Sequence, residues 1–367
     1  MEHPYKSFPT RAFWKRAVAG NFDVTSVPSA ETLLRKGDIV ASAGSCFAAH
    51  MVPYIEQAGF QYLRVMNKSA FGSLARDNFG YSDFSADYGN IYTVRQAVQL
   101  LKRALGLFKP AEDRWVIGDD LIVDPFRPGL KYPAASAAEF GFLTAQHLRD
   151  VRQVFSEASV FVFTLGLTEA WVSTIDGAVF PACPGTIRGE FDAARHTFRN
   201  FNVAEIIGDL DQLISLAREI NPSLRFILTV SPVPLVATAT GDHVLTATVY
   251  SKSVLRVAAA EAAQRHPGVC YFPAYEIVTG PQAPHEFFAV DRREPSPKAI
   301  NAVMQAFMAH CETDFRIELE TEPMLNGQTV APGAAANCQI QELSRAWSEA
   351  ECEEAAAGID TAVAASG

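Results

Sequence analysis

Cysteine is scarce: six in 367 residues, at positions 46, 183, 270, 311, 338 and 352. No two form a C-x-x-C pair, and none sits in a close Cys/His cluster, so the spacing of a zinc site is absent. Cys311 follows His310 directly, but adjacent helical residues point in different directions. The scatter reads as free thiols of a reducing compartment. Positive charge is also in deficit, with 31 Lys and Arg against 41 Asp and Glu and a net charge of −10. An acidic chain without a basic stripe argues against nucleic acid and anionic membrane as partners. No apolar run approaches the ~18 residues of a membrane span. Residues 1–21 lack the apolar core of a signal peptide, so a cytoplasmic location is expected. No G-x-G-x-x-G or P-loop glycine pattern supports a nucleotide binder. Nothing implies a metal or a cofactor.

What is abundant is material for a core. Hydrophobic residues make up 49% of the chain, including 25 Phe, which is a globular composition. Short apolar runs at 38–43, 60–65, 160–165, 225–230 and 268–272 read as strands. Helical periodicity appears at 47–58, 93–108, 143–157, 203–220 and 248–265. Ser296 and Pro297, a cap and a first-turn proline, open a last helix. A hairpin is expected over 171–180, turning at Asp176-Gly177. Alternating strands and helices imply an α/β fold: a three-layer α/β/α arrangement on a flavodoxin-like, mostly parallel sheet. Residues 1–36 read as an N-terminal arm packed on the domain and 37–318 as the domain itself. Residues 319–367 read as an Ala/Gly/Glu-rich tail, largely disordered, with a possible short helix at 339–356. Such sheets bind ligands beyond the carboxyl ends of their strands. Those ends are Gly44-Ser45, Thr164-Leu165-Gly166, Ser231-Pro232 and Pro273-Ala274.

Ser45 follows a strand and precedes a helix, where unpartnered amides and the helix dipole favour negative charge. A hydroxyl there can act as a nucleophile, and the Cys46 amide can donate to an oxyanion. The same position suits a plain helix N-cap, which Ser favours. Cys46 is a rival nucleophile, since a thiol at a helix start can have a lowered pKa; burial as a small apolar residue is its other reading.

Residues 44–48 spell G-S-C-F-A, and the chain resembles the GSCFA-domain family, which is similar to the SGNH (GDSL-like) esterases and acyltransferases. Gly89-Asn90-Ile91-Tyr92, Thr164 to Trp171 (T-L-G-L-T-E-A-W), Ser231-Pro232-Val233, Ser251-Lys252 and Tyr271 to Glu276 match further family segments, in order. The resemblance implies a serine-dependent esterase or O-acyltransferase with Ser45 as nucleophile. The substrate implied is an acylated small molecule or saccharide. Gly44 and Cys46 flank the nucleophile. Gly89, beside Asn90, stands where the superfamily takes a second oxyanion amide, with Gly72 the weaker match. Where the superfamily has G-x-N, this chain has Gly166-Leu167-Thr168, and Thr168 reaches less far than Asn. Glu169, a carboxylate that would repel an oxyanion, reads as orienting a partner or binding a substrate hydroxyl, or else as a salt-bridge carboxylate.

The last block departs from the pattern. D-x-x-H becomes Asp291-Arg292-Arg293-Glu294, with Glu294 in the slot of the general base. A carboxylate of ordinary pKa, about 4.3, is a weak base toward a hydroxyl. Three explanations stay open: a histidine acts from elsewhere, with His243 and His285 as the candidates in rim loops and His196 one to test; Glu294 or Asp291 is the base; or the site binds a carbohydrate or acyl ligand without turnover, on a degenerate SGNH fold.

Overall fold

The computed structural model describes residues 3–20, 22–28, 32–44, 46–65, 84–118 and 120–317. Ser45, Gly72 and the tail after residue 317 lie outside them.

The central strand β1 (Ile39–Gly44) is buried along nearly its whole length, as a strand covered on both faces must be. After it come α1 (Cys46–Ala49), α2 (Val52–Gln57) and β2 (Gln61–Tyr62). The chain continues through α3 (Val94–Ala104), the hairpin β3 (Trp115–Ile117) and β4 (Leu121–Val123), and the long helix α4 (Ala137–Glu157). Strand β5 (Val160–Leu165) is followed by β6 (Glu169–Ser173), β7 (Val179–Phe180), β8 (His196–Asn200) and α5 (Val203–Ile220). The last elements are β9 (Arg225–Val230), α6 (Val244–Arg265), β10 (Val269–Phe272), α7 (Ala274–Thr279) and α8 (Pro297–Met308).

Five strands form one sheet in the order β10-β9-β5-β1-β2, and every pairing in it is parallel. Alternate side chains face two separate cores. Ala41, Ala43, Phe161, Phe163, Phe226 and Leu228 point into one, which α3, α4, α5 and α6 cover. Val40, Val160, Val162, Ile227 and Phe272 point into the other, beneath α2, α7 and α8. The architecture is therefore α/β in three layers. Helix α8 shows how the sequence sets this. Ser296 caps it through Ala299 N, Pro297 occupies the first turn, and Ile300, Val303, Met304 and Phe307 fall on the buried face. Each contributes ~1.5–3 kcal/mol of transfer free energy.

Several elements depart from the sequence reading. The helix expected over 47–58 is two short helices, because Pro53 has no N–H to continue the first one. The helix expected to reach 108 stops at Ala104, where Gly106 turns left-handed at φ 73°. Helices α4 and α6 start earlier than expected, capped by Ser136 and His243. The expected 171–180 hairpin is β6–β7, with Trp171 opposite Phe180. A third strand, β8, pairs with β6 on its other edge. The β3–β4 hairpin was not among the elements expected from the sequence. The segment Val24–Ser26 is tied to the helix α8 end by His310 Nε2, which donates to Thr25 O at 2.9 Å. Tyr5 and Trp14, earlier in the arm, are exposed. Among the described residues no helix is long and apolar enough to cross a membrane.

Candidate active site

The carboxyl edge of the sheet is assembled around Gly44. Its φ is 151°, a conformation that side chains other than glycine rarely adopt. A Cβ there would lie 2.6 Å from Thr164 O. Glycine therefore lets the end of β1 lie against β5 while the chain turns toward α1. Ser45 is the next residue, outside the described set, and Cys46 opens α1 with its backbone.

The segment 89–93 lies over this end. Gly89 is left-handed (φ 67°), and Ile91 N donates to Gly44 O at 2.8 Å. Asn90 is buried. Gln96, on the first turn of α3, grips the segment from behind: its Oε1 accepts from Tyr92 N at 3.0 Å and its Nε2 donates to Asn90 O at 2.8 Å. Thr93 caps the same helix through Gln96 N. A fixed amide in a loop is what an oxyanion donor requires.

The third segment follows β5. Leu167 N donates to Tyr92 O at 2.8 Å, and a Cβ on Gly166 would lie 2.9 Å from the same oxygen. Helix α6 supports this turn with two buried residues, Ser251 and Lys252. Lys252 Nζ donates to Gly166 O at 2.7 Å, and Ser251 Oγ accepts from Thr168 N at 3.0 Å. The Thr168 hydroxyl donates to Asn200 Oδ1 at 2.7 Å, so its single proton is engaged. Glu169 is 9% exposed. Thr238 Oγ1 donates to its Oε1 at 2.8 Å and Ala239 N to its Oε2 at 3.4 Å. Burial raises the Glu169 pKa, and these two donors oppose the rise.

The candidate bases lie in the turns before α6 and α8. The Asp291 Oδ1 accepts from Arg293 N at 3.0 Å and Glu294 N at 3.1 Å; it caps its own turn and orients no histidine. Arg292, left-handed at φ 58°, donates to His285 Nδ1 at 2.6 Å. His243 caps α6, its Nδ1 accepting from Leu245 N at 3.1 Å. In both imidazoles Nδ1 is engaged as an acceptor. Glu294 is half-buried; its backbone O accepts from Ala289 N, and among the described residues its carboxylate has no hydrogen-bond partner. Arg293 Nε donates to Pro234 O at 3.2 Å, tying this turn to the loop after β9. His196 lies elsewhere, in β8, with its Nε2 3.2 Å from Glu112 and its ring against Phe180.

The structure thus brings together Gly44, Gly89, Asn90, Gly166, Thr168 and Glu169 through direct contacts of their segments. Sequence reasoning gave no role to Gln96, Asn200, Thr238 or Lys252. Lys252 carried a signal, as part of the Ser251-Lys252 segment, while the others are ordinary polar residues until folding brings their partners near. Cys183, Cys270 and Cys311 are free of disulfides, and burial raises the thiol pKa of Cys183 and pushes that of Cys311 up to about 12. Among the described residues no group of His, Cys, Asp and Glu could hold a metal ion.

No curated protein matches the chain. The three converging segments, the Ser251-Lys252 pair and the turn before α8 all fall within residues 39–307, which match the model of the GSCFA family, and the chain belongs to that family.

Proposed function

We propose that this protein is a serine-dependent esterase or O-acyltransferase of the SGNH type that works through an acyl-enzyme on Ser45. The observation that supports the reading best is the convergence on Gly44. The segment holding Gly89 and the turn holding Gly166 meet at the strand end that Ser45 directly follows. Numbering the five central strands by their own chain order gives 2-1-3-4-5, the flavodoxin-like order in which ligands sit beyond the carboxyl ends.

In this reading the Ser45 hydroxyl attacks an ester carbonyl and its proton passes to a base. The oxyanion accepts from the Cys46 and Gly89 amides. Collapse expels the alcohol and leaves the acyl group on Ser45, and water or a sugar hydroxyl then removes it. Thr168, whose proton goes to Asn200, positions the turn. Lys252, itself buried, donates to Gly166 O and holds the turn in place. The base is Glu294, the candidate whose acceptor atoms are uncommitted. Substrates are acylated small molecules or saccharides.

A fluorophosphonate probe tests this reading. Labelling of the wild type, lost in Ser45→Ala, is expected; equal labelling of both proteins sinks it. A second reading, ligand binding without turnover, is favoured by the engaged Nδ1 atoms of His243 and His285. It requires stabilisation by an acylated saccharide that survives Ser45→Ala, with no ester cleavage by either protein.

A further inference from the structure

Behind the segment that carries Gly89 lies a second polar feature that the proposed chemistry does not use. A cavity of about 20 Å³ is lined by Tyr88, Gln96, Gln99, Arg103, Arg127 and His147, with apolar walls completing it. Arg103 is 7% exposed and His147 4%. The Arg103 guanidinium lies 4.2 Å over the Phe126 ring and, among the described residues, makes no hydrogen bond. The His147 Nδ1 is buried with no hydrogen-bond partner.

The polar wall consists mainly of donors. Arg127 donates from Nε to Asp124 at 2.9 Å and from Nη1 to Asp87 O at 3.2 Å. The Tyr88 hydroxyl donates to Ser42 O. The Gln99 oxygen accepts from Val179 N, and that of Gln96 from Tyr92 N. Of the acids nearby, Asp124 is paired with Arg127 and Asp113 with the surface residue Arg114. Asp150 accepts from Gln146 and is itself raised in pKa by burial. Asp87 is a further buried acid in contact with Arg127 through its backbone O. Asp124 and Asp113 act on Arg103 only through their charge, and among the described residues the guanidinium of Arg103 has no hydrogen-bonding counter-ion. A buried, unpaired charge is costly unless something pairs with it. Burial and the Arg127 and Arg103 charges also hold the His147 pKa well below its usual range. Those are the forces an anion in the cavity would relieve.

We infer that this cavity is a binding site for a single small monatomic anion, a halide, held by Arg103, Arg127 and His147. Its size suits one ion or one water molecule and excludes phosphate. The ion completes the shell around Arg103 and stiffens the wall formed by Tyr88 and Gln96. Through the Gln96 bonds to Asn90 and Tyr92 it steadies the rim segment of the candidate site. The inference does not depend on whether Ser45 is catalytic.

Crystals soaked in sodium bromide provide the direct test. The expected result is an anomalous-scattering peak in the cavity, within hydrogen-bonding distance of Arg103 and His147. In solution, replacing sodium gluconate with sodium bromide or chloride at constant ionic strength should raise Tm saturably by a few degrees. Arg103→Met and His147→Leu should each abolish that halide-specific rise. An ordered water with no anomalous signal overturns the inference, as does a halide-specific rise that persists in both variants. The bromide map needs only the wild-type protein, so it decides the matter even where a variant fails to fold.

Discussion

Replacing Gly44 with Ala separates two costs that the end of β1 carries. The first is conformational: a φ of 151° costs a residue with a Cβ ~1–3 kcal/mol. The second is steric. The new Cβ would stand 2.6 Å from Thr164 O and 2.7 Å from Thr164 Cβ. Thr164 cannot retreat, since it pairs with Gly44 on one side and with Thr229 on the other. Overpacking at a rigid site costs a further ~1–3 kcal/mol, for a total of about 2–6 kcal/mol. Gly37 supplies the control. It is also left-handed, at φ 89°, but a Cβ there meets nothing within 4 Å, so Gly37→Ala bears the conformational cost alone. Thermal and urea unfolding of the two variants give the comparison. At roughly 2 °C per kcal/mol for a chain of this size, Gly44→Ala should lower Tm by roughly 4–12 °C and Gly37→Ala by roughly half as much. Equal losses in the two variants would refute the close approach of β1 to β5 as a constraint on the turn into Ser45.

Acid should destabilise the fold well above the carboxylate range. Burial pushes the His50 pKa from 6.5 down to about 4, so the unfolded chain takes up the proton first. The stability His50 contributes is present above pH 6.5 and is lost as pH falls toward 4, about 3 kcal/mol over ~2.5 pH units. His147 acts in the same direction. Urea midpoints measured from pH 7 to 4.5 should fall, and a flat profile contradicts this. Glu169 has the opposite sign. Its pKa is raised by burial, so its contribution is present below about pH 4.3 and lost as pH rises through the raised value. Glu169→Gln should therefore gain on the wild type with increasing pH in the same urea series, and a constant difference rules it out. Glu294→His restores an imidazole to the slot before α8. General-base catalysis is worth 10²–10⁴-fold, so activated-ester hydrolysis should rise by about tenfold or more, and an unchanged rate would show that Glu294 is not at the base position.

The five central strands were legible because each is a continuous or nearly continuous apolar run, such as residues 160–165, and burial on both faces demands that. Helix ends were less so. Pro53 is plainly visible in the sequence, but the apolar spacing from Phe47 to Ala58 outweighed it. Strand β8 carried no apolar run: His-Thr-Phe-Arg-Asn becomes a strand because β6 offers a free edge, and local sequence does not encode a partner's edge. The candidate site was legible where glycine or an unusual motif marked it, as at Gly44 and Gly89. It was not legible where its geometry depends on which hydrogen bond a common side chain makes. Nothing in the sequence says that Leu245 N occupies His243 Nδ1, or that Gln96 reaches back to Asn90. Those contacts follow from the path of the helices.

The all-parallel sheet has a consequence for synthesis. Val40 pairs with Val160, 120 positions further along, and β2 offers β1 only two paired rungs in the meantime. At about 5–20 residues per second, β1 leaves the ribosome roughly 6–24 s before β5. For that interval the strand leading to Ser45 has one edge with no partner of its own. A nascent chain stalled just short of β5 thus displays an unpaired strand edge, the kind of surface that templates aggregation.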